Sequence, residues 1–335
     1  MKNYQITLEA LTPVYIGNGK RITKKDFELK NNYINIYDPI KLHEILGKRY
    51  ENFLMNNYTL TSFLKRNPKL NTSPALKYRV LCGDKGIRES DGIHEFIKDA
   101  YGKPYIPGSS LKGAIRTAIL AHRISENKGN RFDSFKSELL GGSNEIERAA
   151  FGSIIDDEFK NLRISDSQPL SMDDLIISKK IDVFKDGASN NRLNLCRETL
   201  KPGTKINFTL TIDGSLQKPA FSPEYILNAI DQFNIQYHKV FLSKFGSYHL
   251  DQFKENITYL GGGTGFLTKT INHSLYGDRA LKEISSFLDR MFRRHRHRQD
   301  LALGISPRAK KCTRIDGKTM EMGICQIRID HDAAI

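Results

Sequence analysis

No part of this 335-residue chain approaches the ~20 consecutive apolar residues of a membrane span, which excludes a transmembrane helix. Cysteine is scarce. Cys82, Cys196, Cys312 and Cys325 show no paired spacing, so neither a disulfide framework nor a zinc site is expected, and the thiols read as reduced, as in a cytoplasmic protein. The opening MKNYQITLEAL has the alternation of a strand and not the apolar run of a signal peptide. Negative charge is also short: 38 Asp and Glu stand against 52 Lys and Arg, a formal charge of +14. A surplus that large points to a polyanionic partner, nucleic acid first and an acidic membrane second. The membrane is disfavoured because the cations are spread along the chain and not gathered on one amphipathic helix.

What is present is globular. Hydrophobic residues make up 39% of the chain, with helical and alternating patterns throughout, enough for one large or two ordinary domains. The most informative stretch is KPYIPGSSLKGAIRTAIL, Lys103 to Leu120. Pro107 and Gly108 break an approach strand, and Ser109 or Ser110 is placed to cap a helix. Behind the cap Leu111, Ala114, Ile115, Ala118 and Ile119 follow the spacing of one buried face. Lys112, Arg116 and Arg123 fall on one flank of it. A helix start with exposed N–H groups and a cationic edge suits a phosphate, although any capped amphipathic helix shares part of the pattern.

Other segments are read in order. LTPVYIGNGKRITKKDFEL places Gly17, Asn18 and Gly19 in a tight turn before Lys20, Arg21, Lys24, Lys25 and Asp26. Asp38–Leu64 reads as helical, with Pro39 near its start. Residues 65–103 are polar and aperiodic, so 40–100 is expected to be an insertion, helical and then irregular. Asp91, His94 and Glu95 match no metal-ligand spacing, and no metal or cofactor is expected. A short strand, Leu162–Ile164, stops at Ser165–Asp166–Ser167, whose side chains are expected to hold a turn. Residues 174–212 read as a strand, a loop over Lys185–Asp186–Gly187–Ala188, a return strand, a turn at Pro202–Gly203 and a further strand. Ser222–Leu242 is an amphipathic helix. In YLGGGTGFLTKT the glycines Gly261, Gly262, Gly263 and Gly265, with Thr264, let backbone N–H groups approach a ligand; the P-loop GK[ST] is lacking and Lys269 comes too late for one. Glu283–Arg298 reads as a helix ending in RRHRHR, and the final strands turn at Asp316–Gly317.

IPGSSLKGAIR, the LTPVYIGNG opening, the 174–212 segment and the glycine run together resemble the RAMP superfamily, the repeat-associated RNA-binding proteins of CRISPR systems. The C-terminal strands are similar to those of one subgroup, the fifth Csm subunits of type III-A complexes. The resemblance implies an α+β fold of two ferredoxin-like (RRM-like) domains, 1–200 and 201–335, with the insertion near 40–100, a thumb β-hairpin near 175–198 and the glycine-rich loop at 261–265. It implies RNA contacts at Gly17, Asn18, Lys20, Ser109, Ser110, Lys112, Gly113, Arg116, Lys185, Arg192, Gly261, Gly262, Gly263, Thr264, Gly265 and Lys269. The implied partners are CRISPR RNA, target RNA, the RAMP backbone and small subunits of the complex, and host nucleases. Because the aromatic string of base-stacking RRM sheets is absent, phosphate, sugar and shape are expected to carry recognition. The alternative is a metal-dependent endoribonuclease using Asp26, near the place where filament subunits of the family carry a catalytic Asp. The flanking Lys24 and Lys25 and the 40–100 insertion depart from that pattern, so a non-catalytic subunit is expected.

Overall fold

Tyr4, Ile6, Leu8 and Ala10 are buried while Lys2 and Gln5 face solvent, and this period-two burial makes the first strand the middle of a sheet. The computed structural model describes residues 1–126, 132, 144–190, 194–213, 221–246 and 254–331. In chain order come β1 (Lys2–Ala10), β2 (Gly17–Ile22), β3 (Phe27–Lys30) and β4 (Tyr33–Tyr37), then α1 (Pro39–Leu46), α2 (Lys48–Met55) and α3 (Leu60–Arg66). They are followed by β5 (Leu76–Cys82), β6 (Gly92–Phe96), α4 (Gly108–Glu126), α5 (Asn144–Phe151), β7 (Leu162–Ile164), β8 (Leu175–Lys179) and β9 (Ile181–Phe184). Next are β10 (Ser189–Asn190), β11 (Leu195–Leu200), β12 (Lys205–Ile212), α6 (Pro223–Val240) and β13 (Ile257–Tyr259). The chain continues through α7 (Asn272–Tyr276), α8 (Ala280–Met291), α9 (Asp300–Leu303), β14 (Ala309–Ile315), β15 (Lys318–Glu321) and β16 (Ile324–His331).

A five-stranded antiparallel sheet has the order β13-β16-β1-β12-β7. It draws β1 and β7 from one side of residue 200 and β12, β13 and β16 from the other. Ile6 lies opposite Phe208 on β12 and Ile329 on β16. The helices α4 and α6 pack on each other, and Leu111, Ile115, Ile119, Ile226 and Ile230 join Ile6 and Leu8 in one core. A seven-stranded mixed sheet has the order β2-β6-β11-β8-β5-β4-β3, and a four-stranded one runs β10-β9-β14-β15. The β9–β10 hairpin, closed by Phe184 N–H on Ala188 O and by Gly187 at φ 82°, is the thumb, and it docks on the C-terminal strand β14.

The helices α1–α3 cover Pro39 to Arg66, close to the Asp38–Leu64 expected, but the irregular remainder expected up to residue 100 contains two strands. Asp38 caps α1 by accepting from Ile40 and Lys41 N–H, as Pro39 at the helix start leads one to expect. The three helices α1–α3 share a small core of Leu42, Leu46, Tyr50, Phe53, Leu60 and Leu64. Residues 76–82 and 92–96, expected to be irregular, are strands of the seven-stranded sheet. In β5, Leu76, Tyr78, Val80 and Cys82 alternate with Lys77 and Arg79, a strand pattern passed over in the sequence; only Val80 and Cys82 of them are buried. The C-terminal helix ends early, at Met291. Arg293–His295 and His297–Gln299 form two 3-10 turns about Arg296, which is left-handed at φ 52°. The buried Asp300 draws this loop in: it lies 2.8 Å from His297 Nδ1, accepts Ser306 Oγ at 2.8 Å and pairs with Arg308 at 2.7 Å.

Candidate nucleic-acid interface

The β1–β2 connection threads between the glycine-rich loop and β11. Leu200 N–H donates to Val14 O at 2.8 Å, Gly262 N–H to Tyr15 O at 2.7 Å, Gly323 N–H to Pro13 O at 2.8 Å and Ile97 N–H to Ile16 O at 2.8 Å. The glycines are required by proximity. A Cβ on Gly261 would lie 2.2 Å from Tyr15 O, and the residue sits at φ 84°; one on Gly263 would lie 2.8 Å from Met322 Sδ. The segment 13–16 that leads into β2 and the loop at 261–265 are therefore one structure, although far apart in sequence.

Beside this seam the sheet presents a row of cations. Arg21 on β2 is opposite His94 on β6, and His94 is opposite Arg197 on β11. The pleat sends Ile22, Ile93 and Cys196 into the core, so their neighbours Arg21, His94 and Arg197 emerge together on the other face. Arg197 lies with its guanidinium 5.3 Å from the centre of the Tyr15 ring and 3.7 Å from Met322 Sδ. Among the described residues it has no carboxylate partner. Burial depresses its pKa. Burial and then the Arg197 charge depress Lys269, although part of that side chain is open to water. His94 is held down by burial, then by Arg197 and Arg21. Lys180 is held down by burial, then by Lys311 and Arg197, against the opposing pull of Asp182. Arg197 thus depresses Lys269, His94 and Lys180, with Asp182 offsetting part of the positive field, and a phosphate would be drawn to what remains.

The other residues singled out from the sequence divide into two groups. Gly17, Asn18 and Gly19, expected to form a tight turn, open strand β2 instead; Gly17 and Lys20 are exposed there, and the Asn18 amide donates to Glu95 Oε2 (2.9 Å) while its oxygen accepts from Lys20 N–H (2.8 Å). Gly265 has open space around it, whereas the Thr264 hydroxyl is turned inward onto Gly261 O (3.2 Å) and Thr268 Oγ1 (2.9 Å). On α4, Ser109 and Gly113 are exposed. Neither Ser109 nor Ser110 is the cap. The helix begins at Gly108, whose N–H donates to Asp166 Oδ1 at 2.8 Å, so the Ser-Asp-Ser turn caps the helix from outside. Lys112 donates to Phe159 O at 2.7 Å. Arg116 is held by Glu147 (2.8 Å) and Asp157 (2.9 Å) over the rings of Phe151 and Phe159, and Arg123 by Glu158 (2.8 Å) and Ala150 O (2.7 Å). These cations hold the 144–161 segment against the helix.

The Lys185 ammonium donates to Leu303 O at the end of α9, 2.9 Å away. Arg192 lies outside the described residues. Asp26 closes the β2–β3 turn, its Oδ2 accepting from Thr23 N–H and Thr23 Oγ1, both at 2.7 Å. Lys25 donates to Phe53 O at the end of α2 (2.8 Å), and the Lys24 ammonium bonds Asn57, so these lysines fasten the helical insertion. Among the described residues no group of three or more His, Cys, Asp or Glu is placed to hold a metal ion. Asp91 is instead buried against Lys179 at 3.0 Å. Nor is any helix among them long and apolar enough to cross a membrane.

Arg197, Arg21 and His94 were passed over in the sequence as site residues. Their alignment depends on the register of three strands from distant parts of the chain, and no local spacing carries it. Two strings hold the available signal: the Tyr15 of the first loop and the Arg-Glu pair at 197–198.

The sequence pattern of the RAMP superfamily matches residues 7–305, and the chain belongs to that superfamily. Its α+β fold with a thumb hairpin is the superfamily's, and the solved structures it resembles agree. It shares a TM-score of 0.68 at 21% identity, over 97% of this chain and 100% of the other, with a subunit of a Csm–crRNA–target RNA ternary complex of a type III-A CRISPR-Cas system. With T. onnurineus Csm5 the TM-score is 0.66 at 22% identity, over 96% and 99% of the two chains. The sequence relatives narrow the family to Csm5. The chain is 31% identical to the CRISPR system protein Csm5 of Streptococcus thermophilus, over 81% of this chain and 80% of the relative, and 27% identical to that of Mycobacterium tuberculosis over 98% of each.

Proposed function

We propose that this chain is the RNA-binding Csm5-type subunit of a type III-A CRISPR effector complex. It caps the filament of RAMP backbone subunits at the 3′ side of the CRISPR RNA. In that place it supports maturation of the CRISPR RNA in the cytoplasm and defence against viruses and plasmids. Membership of the Csm5 family supports the assembly, and the single structural observation that supports RNA binding is the crowding of Arg21, His94, Arg197 and Lys180, with Asp182 as their acidic neighbour, beside the glycine-rich loop. Residues 1–200 and 201–335 are read as its two RRM-like halves, which share strands: the five-stranded and the four-stranded sheets each draw on both. The backbone and small subunits, CRISPR RNA and target RNA are its partners, with host nucleases recruited to the assembled particle. The subunit contributes geometry and charge and no catalytic group, because Asp26 is committed to its turn.

Binding of this kind falls steeply with salt and varies little with base sequence. The test is fluorescence anisotropy of the purified chain, and of the reconstituted complex, on RNAs of unrelated sequence from low to high salt. A steep log–log decline shared by all sequences is expected. Salt-independent binding, or tight preference for one short sequence, would overturn the reading.

A further inference from the structure

A cavity of about 250 Å³ opens between α4 and the segment that follows the glycine-rich loop, with Lys269 at its edge. Phe266 and Phe287 form one wall, their rings 6.0 Å apart and inclined by only 28°, and Leu120 lies beside them. Thr117 of α4 also lines the cavity. The Thr270 hydroxyl also lines it, buried and with no hydrogen-bond partner among the described residues. An unsatisfied buried hydroxyl is costly, and here it lies beside an apolar wall next to Lys269, whose pKa is depressed by burial and then by Arg197.

We propose that this cavity receives one RNA base turned out of the strand whose phosphates lie on the Arg197–Lys269 cluster. The inference rests on the reading of the chain as an RNA-binding subunit. A base has an apolar face, which the two phenyl rings can cover, and a polar edge, which the Thr270 hydroxyl can meet. That hydroxyl donates and accepts alike, so the pocket takes any of the four bases and adds position-specific, sequence-tolerant affinity. Lys269 belongs both to the cavity edge and to the cation cluster, which places the phosphate of the same nucleotide within reach.

The test uses the full chain and a single-stranded RNA in which one abasic ribose is stepped along the sequence. One position should show a loss of affinity of about tenfold, the scale of base–aromatic stacking, while the others bind as the intact RNA does. Thr117→Phe, which fills the cavity from α4, should weaken the intact RNA to the same extent and erase the abasic penalty; melting curves establish that the variant folds. Phe287→Ala should shrink the penalty in the same way. Failure of wild type to bind any RNA at low salt overturns the functional reading itself. Salt-sensitive binding with no position dependence overturns only this inference. Unchanged RNA binding by Thr117→Phe together with loss of assembly onto the backbone subunits would assign the cavity to a protein side chain instead.

Discussion

The guanidinium of Arg197 rests over the ring of Tyr15, 5.3 Å from its centre, with no carboxylate in contact with it among the described residues. A half-buried cation with no carboxylate in contact, and only the more distant Asp182 to oppose its charge, gains little from the fold and is completed by an anion. Arg197→Ala should therefore leave the melting temperature unchanged or raise it, while lowering RNA affinity about tenfold and reducing the salt slope by about one. Anisotropy titrations at several salt concentrations read both quantities. Undiminished affinity would remove Arg197 from the interface.

The flank of α4 behaves differently. Arg116 sits between Glu147 and Asp157, and Lys112 donates to a backbone carbonyl. The sequence alone suggests that reversing both charges would spare the fold. In the structure the reversal sets glutamates against Glu147 and Asp157, and it should cost about 2–4 kcal/mol, a partly exposed version of breaking a buried pair. Arg116→Gln should cost less than Arg116→Glu. Equal, unaltered denaturation midpoints would show that these pairs do not hold the 144–161 segment.

Two glycines of the central motif separate scaffold from surface. A Cβ at Gly108 would lie 2.3 Å from Ile164 O and Ser165 O, so Gly108→Ala should destabilise by about 1–3 kcal/mol. Gly113 has nothing within 4 Å, and Gly113→Ala should stabilise the free chain by up to about 1 kcal/mol through helix propensity. If RNA passes over this turn, the same methyl weakens RNA binding. A stabilised variant with wild-type affinity would make the helix scaffolding only.

Acid should loosen α7. Burial depresses His273 from 6.5 to about 4. The unfolded chain then binds an extra proton as pH falls from 6.5 toward 4, and folding stability declines through that window by up to about 3 kcal/mol. Wild type minus His273→Gln, compared by denaturation at pH 7 and pH 4.5, isolates this contribution from that of the carboxylates. Parallel pH curves for the two proteins would contradict it.

Asp26→Ala loosens a turn, at a cost of about 1 kcal/mol, and target-RNA cleavage by the assembled complex should continue with the same cut sites. Disappearance of one specific cut from an intact complex would make Asp26 catalytic.

Local periodicity made α6, the thumb hairpin and the Asp316–Gly317 turn legible, because each is specified within a few residues: Ser222 and Pro223 at a helix start, Gly187 and Gly317 at positive φ. The helix at IPGSSLKG was legible too, but not its partners. Arg116 looks alike on a helical wheel whether it faces solvent or Glu147, and that difference lies in where 144–161 folds back. β5 and β6 were missed for a related reason: they are short, Lys77, Arg79, His94 and Glu95 interrupt their apolar residues, and their burial comes from flanking strands of the sheet. In the candidate site, the glycine loop and Lys269 announced themselves by composition. Arg197 and His94 become neighbours only through the register of β6 with β11.

The placement of β1 has a consequence for biosynthesis. Its neighbours on the two edges are β12 and β16, so that Ile6 waits for Phe208 on one side and Ile329 on the other. β1 leaves the ribosome long before either of these neighbours, and its alternating Tyr4, Ile6 and Leu8 stay open to foreign strands until they follow. Growing chains of this subunit need shielding until residue 331 has emerged, and any truncation that removes β16 converts the centre of the sheet into a sticky border.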